Sequence, residues 1–217
     1  PYLIGGSIFM VYPLVMSVYY SLCHYNIITP PTLAGLANYR ALFFRDEVFW
    51  KSVYNTLYFT AFSVPLSLIL AVGLAVLLNQ AVKGQSVFRT VFFLPTIVPI
   101  VASAVLWLWV LNPESGLING MLREFFNVEG PGWIADIRWS KPSLILMSLW
   151  SVGGPMVIFL AGLADVPAVL YEAADIDGAG PWQKFRNVTL PMLTPTILFN
   201  LVMGLIGAFQ YFTQVYV

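Results

Sequence analysis

Ser52–Val82, reading SVYNTLYFTAFSVPLSLILAVGLAVLLNQAV, runs through thirty-one positions without a charged side chain. A helix needs about 20 predominantly apolar residues to cross a hydrocarbon core roughly 30 Å thick, and one charge at its centre costs about 2.5–3.5 kcal/mol. This stretch is long enough to cross. The sequence holds four more uncharged runs, 1–39, 90–113, 142–164 and 187–217. All twenty charged residues lie between the runs, and no other uncharged gap exceeds eight residues. With 59% hydrophobic and 9% charged residues among 217, and a mean hydropathy of +0.81, the chain has too little polar material to clothe a water-soluble globule.

The expected fold is an all-α membrane protein, a polytopic helical bundle in one transmembrane domain covering 1–217, with spans near 2–22, 57–78, 90–111, 142–164 and 190–217. A straight helix over 142–164 rises roughly 34 Å, enough to cross with modest tilt. Pro95 and Pro99 remove backbone donors from the third span, so it should kink there and pack against partners rather than lipid. The first run has no cationic start and 187–217 no flanking charge, so the chain is expected to lack material at both ends. Zero net charge and the lack of a basic block exclude a nucleic-acid footprint. Cys23 stands alone, which excludes an internal disulfide or a multi-cysteine metal site. Neither it nor His24 is assigned a role.

Parity puts the loops after the second and fourth spans on one side of the membrane. Loops 79–89 and 165–189 hold four Lys/Arg, against six in the longer loops 23–56 and 112–141, so the charge bias does not orient the chain.

The chemistry-bearing segment is 165–195: Asp165-Val-Pro-Ala-Val-Leu-Tyr-Glu172-Ala-Ala-Asp175-Ile-Asp177-Gly178-Ala-Gly180-Pro181-Trp-Gln-Lys-Phe185-Arg186-Asn-Val188-Thr-Leu190-Pro191-Met-Leu-Thr-Pro195. Its punctuation predicts two short helices. Asp165 can cap the first, with Pro167 in its opening turn, and Gly178 can take the left-handed conformation that closes it. Gly180-Pro181 starts the second, which ends near Leu190-Pro191. Ala173 and Ala174 allow close approach of another backbone, and Glu172 and Asp175 share a face that offers acceptors to a cationic partner.

Glu172-Ala173-Ala174, Asp177-Gly178-Ala179, Phe185, Val188, Leu190-Pro191 and Pro195 resemble the EAA loop of binding-protein-dependent ABC importer permeases. Asn38-Tyr39 to Asn55-Thr56, and Phe88-Arg89-Thr90 to Asn112-Pro113, are similar to the sugar-type branch that includes the maltose and glycerol-phosphate permeases. The resemblance implies a six-span permease core of which five spans are visible. It also implies a cytoplasmic loop 165–189 docked in the ATPase subunit of a bacterial inner-membrane importer. Glu172, Ala173, Ala174, Asp175, Asp177 and Gly178 would then be coupling residues, with Pro191 linking them to the fifth span. The implied partners are ATP-binding subunits that hold ATP and magnesium, a second permease subunit, and a periplasmic or lipid-anchored solute-binding protein. No cofactor is expected in this chain.

Helical spacing places Asn200, Gly204, Gly207, Tyr211 and Gln214 on one stripe of the fifth span. A small, polar stripe in lipid can line a cavity or form a helix-packing seam. Trp150, Ser151 and Gly154 in the fourth span are candidates of the same kind, an aromatic ring being suited to a sugar face. The resembled family carries its solute between these spans.

Two other readings fit less well. A membrane-embedded enzyme needs acids, bases or metal ligands at depth, and the uncharged runs hold only His24. A secondary, ion-coupled transporter of small polar solutes usually buries an ionisable residue, although carbonyl-built sodium sites remain open to it. No G-x-x-x-x-G-K-[ST] phosphate cradle occurs, so the drive must come from a partner. A photo-crosslinker placed at Asp177 is expected to capture an ATP-hydrolysing subunit and to be reached from the cytoplasmic face. Capture of no such subunit, or labelling from the outer face alone, contradicts the orientation and the docking together.

Overall fold

The computed structural model describes residues 1–80 and 83–211, which form two compact units, 1–55 and 56–211. In the first, α1 (Tyr2–Ser21) is one apolar helix with a π turn over Ser7–Val11. Asn38, near the start of α2 (Ala37–Phe44), donates through Nδ2 to the carbonyls of Ser21 (3.0 Å) and Cys23 (2.9 Å). That tie anchors a ribbon of two short antiparallel strands, β1 (Cys23–His24) and β2 (Thr32–Leu33), with Cys23 opposite Leu33. Cys23 is buried and His24 exposed.

The long helix α3 (Glu47–Asn79) begins in the first unit and ends in the second. It starts at Glu47 rather than near Leu57. The Asp46 carboxylate accepts from the amides of Val48 (2.9 Å) and Phe49 (3.1 Å), a cap that starts the helix before the apolar run and carries Lys51 along in it. Charge therefore marked where lipid should end, and not where the helix does.

In the second unit the other expected spans are broken helices. α4 (Gln85–Ile97) and α5 (Ile100–Val110) meet at 101° across Val98-Pro99. Pro99 lacks the donor the helix needs, and the turn tightens instead, Val98 N–H donating to Pro95 O at 3.3 Å. Within α5 only Ala104 is buried in this chain. An ordered connection follows, with α6 (Leu117–Phe126) built around Asn119. That side chain accepts from Trp133 Nε1 at 2.6 Å and donates to the carbonyls of Pro113 and Pro131.

The 142–164 run is not one straight helix. α7 (Ser140–Leu149) and α8 (Gly153–Ala164) are bent by 45°. Pro155 cannot donate to Ser151 and its ring crowds that carbonyl, while Gly153 lets the chain press its backbone against Phe92 of α4. The segment then continues as α9 (Ala168–Ile176), α10 (Pro181–Met192) and α11 (Thr194–Phe209), the last two bent by 65° at Leu193. Among the described residues two helices are long and apolar enough to cross a membrane, and up to five spans result if each bent pair counts as one.

The core of this unit forms where α3 crosses α8. Ala71 and Ala75, one turn apart, carry no bulk and admit Met156 and Phe159, all four fully buried. Leu193, also fully buried, closes the cluster from the bend. The neighbouring glycines separate sharply. A methyl added at Gly153 would run into the Phe92 carbonyl, whereas one at Gly154 would sit 3.7 Å from Thr96 Cγ2, an ordinary contact. Gly153→Ala is therefore expected to destabilise the fold by about 1–3 kcal/mol, as overpacking does, and to lower the unfolding temperature in detergent. Gly154→Ala should leave it near wild type. Equal stabilities would contradict this packing.

Candidate functional site

Two features of the second unit gather the residues singled out from the sequence: a helical hairpin over 165–192 and a cavity of about 700 Å³. The hairpin is built from its turn. Gly178 has φ +73°, the left-handed conformation that closes α9. Ala179 N–H donates to Ala174 O at 2.8 Å and Gly178 N–H to Asp175 O at 3.1 Å, which satisfies two end carbonyls of the helix. Gly180 N–H then donates to Gln183 Oε1 at 2.8 Å and opens α10.

One expected detail is different. Asp165 does not cap α9; it ends α8, and Pro167 occupies the N-cap of α9 with no side-chain bond. Pro167 fixes an extended turn that positions the start of α9 without a capping carboxylate.

Two side-chain ties join the arms of the hairpin. Asp175 is ion-paired with Lys184, and Tyr171 OH lies 2.9 Å from Thr189 Oγ1. Asp175 is thus committed within the chain. Glu172, Ala173, Asp177 and Gly178 remain exposed, as does Ile176 at 88%. The outer surface of the turn therefore combines acidic groups with an unburied isoleucine.

Pro191 lies in the last turn of α10, just before the bend. At the bend the hydroxyl of Thr194 donates to Leu190 O at 3.3 Å, and α8 packs closely enough that a methyl on Gly162 would approach Leu193 Cδ2 to 3.1 Å. The hairpin is thereby connected to α11 through a packed elbow.

Beyond the elbow α11 faces the cavity. Asn200, Gly204, Gly207 and Tyr211 line it, with Ser151 and Gly154 from the α7–α8 break. Gln214 lies outside the described residues. Cavity and seam share the stripe: Gly204 backs onto Val64 of α3, where an added methyl would come within 3.3 Å, while Gly207 has nothing within 4 Å of its missing side chain. Trp150 is not a lining residue. Its ring meets Trp107 edge to face at 6.0 Å, and it is Trp107 that borders the cavity. Phe59 of α3 also borders the cavity, stacked on Tyr211 with ring centroids 4.4 Å apart.

The sequence reading passed over Ser63 and Ser67 on α3, Ser103 on α5, and Ser148 on α7, all of which line the cavity. Their signal was available: Ser63 and Ser67 are one helical turn apart inside the uncharged run 52–82.

The chain's relatives agree with this architecture. Residues 30–217 match the family model described as binding-protein-dependent transport system inner membrane component. The probable ABC transporter permease protein YesP of Bacillus subtilis is 40% identical over 218 residues, covering 100% of this chain and 70% of that protein. The lactose transport system permease protein LacF of Rhizobium radiobacter is 34% identical, covering 97% of this chain and 70% of that one. Among solved structures, a bacterial ABC transporter involved in import of the acidic polysaccharide alginate superposes with a TM-score of 0.80 at 26% identity, covering 97% of this chain and 71% of its own. The bacterial alginate ABC transporter has also been solved in complex with a periplasmic protein bound to an alginate pentasaccharide. This chain belongs to the binding-protein-dependent transport system inner membrane component family, as a membrane-spanning permease subunit of an ABC importer.

Proposed function

We propose that this subunit forms half of the pathway for a sugar or sugar-like solute across the bacterial cytoplasmic membrane. Its drive comes from ATPase subunits that grip the 165–189 hairpin. Supporting the solute class is the lactose permease among its relatives, together with a cavity that mixes aromatic rings and hydroxyls. In this reading a second, different permease subunit completes the cavity. A periplasmic or lipid-anchored binding protein delivers the solute, and ATP and magnesium stay with the partner subunits. The chain itself is not an enzyme and holds no cofactor.

The observation that carries the reading is the continuous path from the exposed turn at Gly178, through α10 and the packed elbow at Leu193, into the helix that lines the cavity. The cross-ties Asp175–Lys184 and Tyr171–Thr189 make the two arms move together. Closure of the ATPases would push the turn, and the elbow would transmit that push to α8 and α11, rocking the cavity from outward-facing to inward-facing.

Gly178 offers a clean test, because nothing lies within 4 Å of its missing side chain and a substitution there strains only the backbone. A left-handed residue other than glycine costs about 1–2 kcal/mol, and a β-branched one more. Gly178→Val is expected to lower uptake and solute-stimulated ATP hydrolysis about tenfold, the equivalent of roughly 1.4 kcal/mol, at unchanged membrane levels. Gly178→Asn, which tolerates the conformation better, should fall between. Wild-type uptake and stimulation in the valine variant would overturn the coupling.

A further inference from the structure

We infer that the solute crossing beside this chain is uncharged and densely hydroxylated, rather than anionic or cationic. This rests on the cavity being the pathway, and it narrows the solute class proposed for it.

Among the described residues that line the cavity, none carries a formal charge. The lining comes from 52–82, 90–113, 142–164 and 187–217, runs that contain no Asp, Glu, Lys or Arg. Within those runs no helix face carries a charge; the charged residues of the same helices, such as Lys51 and Lys141, lie outside them. An ion moved out of water needs an opposite charge or a dense set of oriented dipoles to offset its lost hydration. Membrane pathways for charged permeants accordingly carry rings of charged side chains or converging carbonyls. A neutral polyol needs neither. It exchanges its hydrogen bonds to water for hydrogen bonds to the wall.

The wall is equipped for that exchange. A serine within a helix commonly spends its hydroxyl on a carbonyl about one turn back. Ser148 does so, donating to Ile145 O at 2.7 Å. Ser63, Ser67, Ser103 and Ser151 make no such bond among the described residues, although all four line the cavity. Each hydroxyl can donate and accept, as a sugar hydroxyl can. Asn200 donates through Nδ2 to Thr196 O at 2.9 Å, which leaves its carbonyl oxygen as an acceptor. Two helices and the α7–α8 break thus present uncommitted hydroxyls beside the Phe59–Tyr211 stack, whose apolar faces suit the C–H faces of a sugar ring.

The test offers a mixed diet to cells with and without this chain, in the complete transporter. The mixture holds malto- and galacto-oligosaccharides as neutral solutes, oligogalacturonates and glycerol 3-phosphate as anions, and glucosamine oligomers as cations. Depletion of each is followed by mass spectrometry. Chain-dependent depletion confined to neutral members is expected. Chain-dependent depletion of an anion or a cation overturns the inference while leaving the importer reading intact. Depletion of nothing defeats the sugar reading, and this inference with it. A second measurement addresses the wall: Ser67→Ala combined with Ser151→Ala should lower the chain-dependent uptake about tenfold at equal membrane levels. Unchanged uptake in that variant would show that the hydroxyls do not contact the solute.

Discussion

Hydrocarbon offers no hydrogen-bond partners, so a backbone group freed at a break in a helix must find one inside the protein or cost several kcal/mol. The second unit is organised by that requirement. Its helices break near Pro99, Pro155 and Pro195, and at each break shorter backbone bonds or side chains take up the freed carbonyls. Thr96 donates to Phe93 O at 2.6 Å beside Pro95, and Thr194 to Leu190 O beside Pro195. The breaks are also where helices come closest. Gly153 presses on Phe92, and Gly162 admits Leu193. Small residues at these points turn potential weaknesses of the helices into contacts between them.

Those contacts connect the two functional features. Leu193 is fully buried at the bend between α10 and α11, within the same cluster as Met156 and Phe159 of α8. The hairpin cannot tilt without acting on that cluster. The same α11 that leaves the elbow supplies Asn200, Gly204 and Gly207 to the cavity. Displacement at the Gly178 turn and reshaping of the cavity are therefore two ends of one packed element, in the manner of two-state cores that shift as units.

Much of this was legible in the residues. The uncharged runs announced a membrane bundle, Pro99 announced the sharp bend, and Gly178 announced the left-handed turn, because lipid and sterics each leave the chain few alternatives. What escaped depends on competition between local signals. Asp165 and Pro167 both suit a helix start, and the end of α8 claimed the aspartate. Asp175 looked free until Lys184, nine positions on, came into reach through the turn. Pro155 was overlooked inside an otherwise apolar run, so 142–164 read as straight. The cavity serines were only partly legible: the spacing of Ser63 and Ser67 puts them on one face, but a hydroxyl in a helix gives no sign in sequence of whether it faces its own backbone or an open space.

The account depends most on the stiffness of the elbow at Leu193. Spin labels on the exposed face of α9 and on α11, in the assembled transporter, would report the distance between hairpin and cavity helix by pulsed electron resonance. With and without bound ATP that distance should stay the same, while the distance from the hairpin label to its counterpart on the other permease changes. A hairpin that moves against α11 when ATP binds would contradict the account, because the stroke would then be lost at the bend.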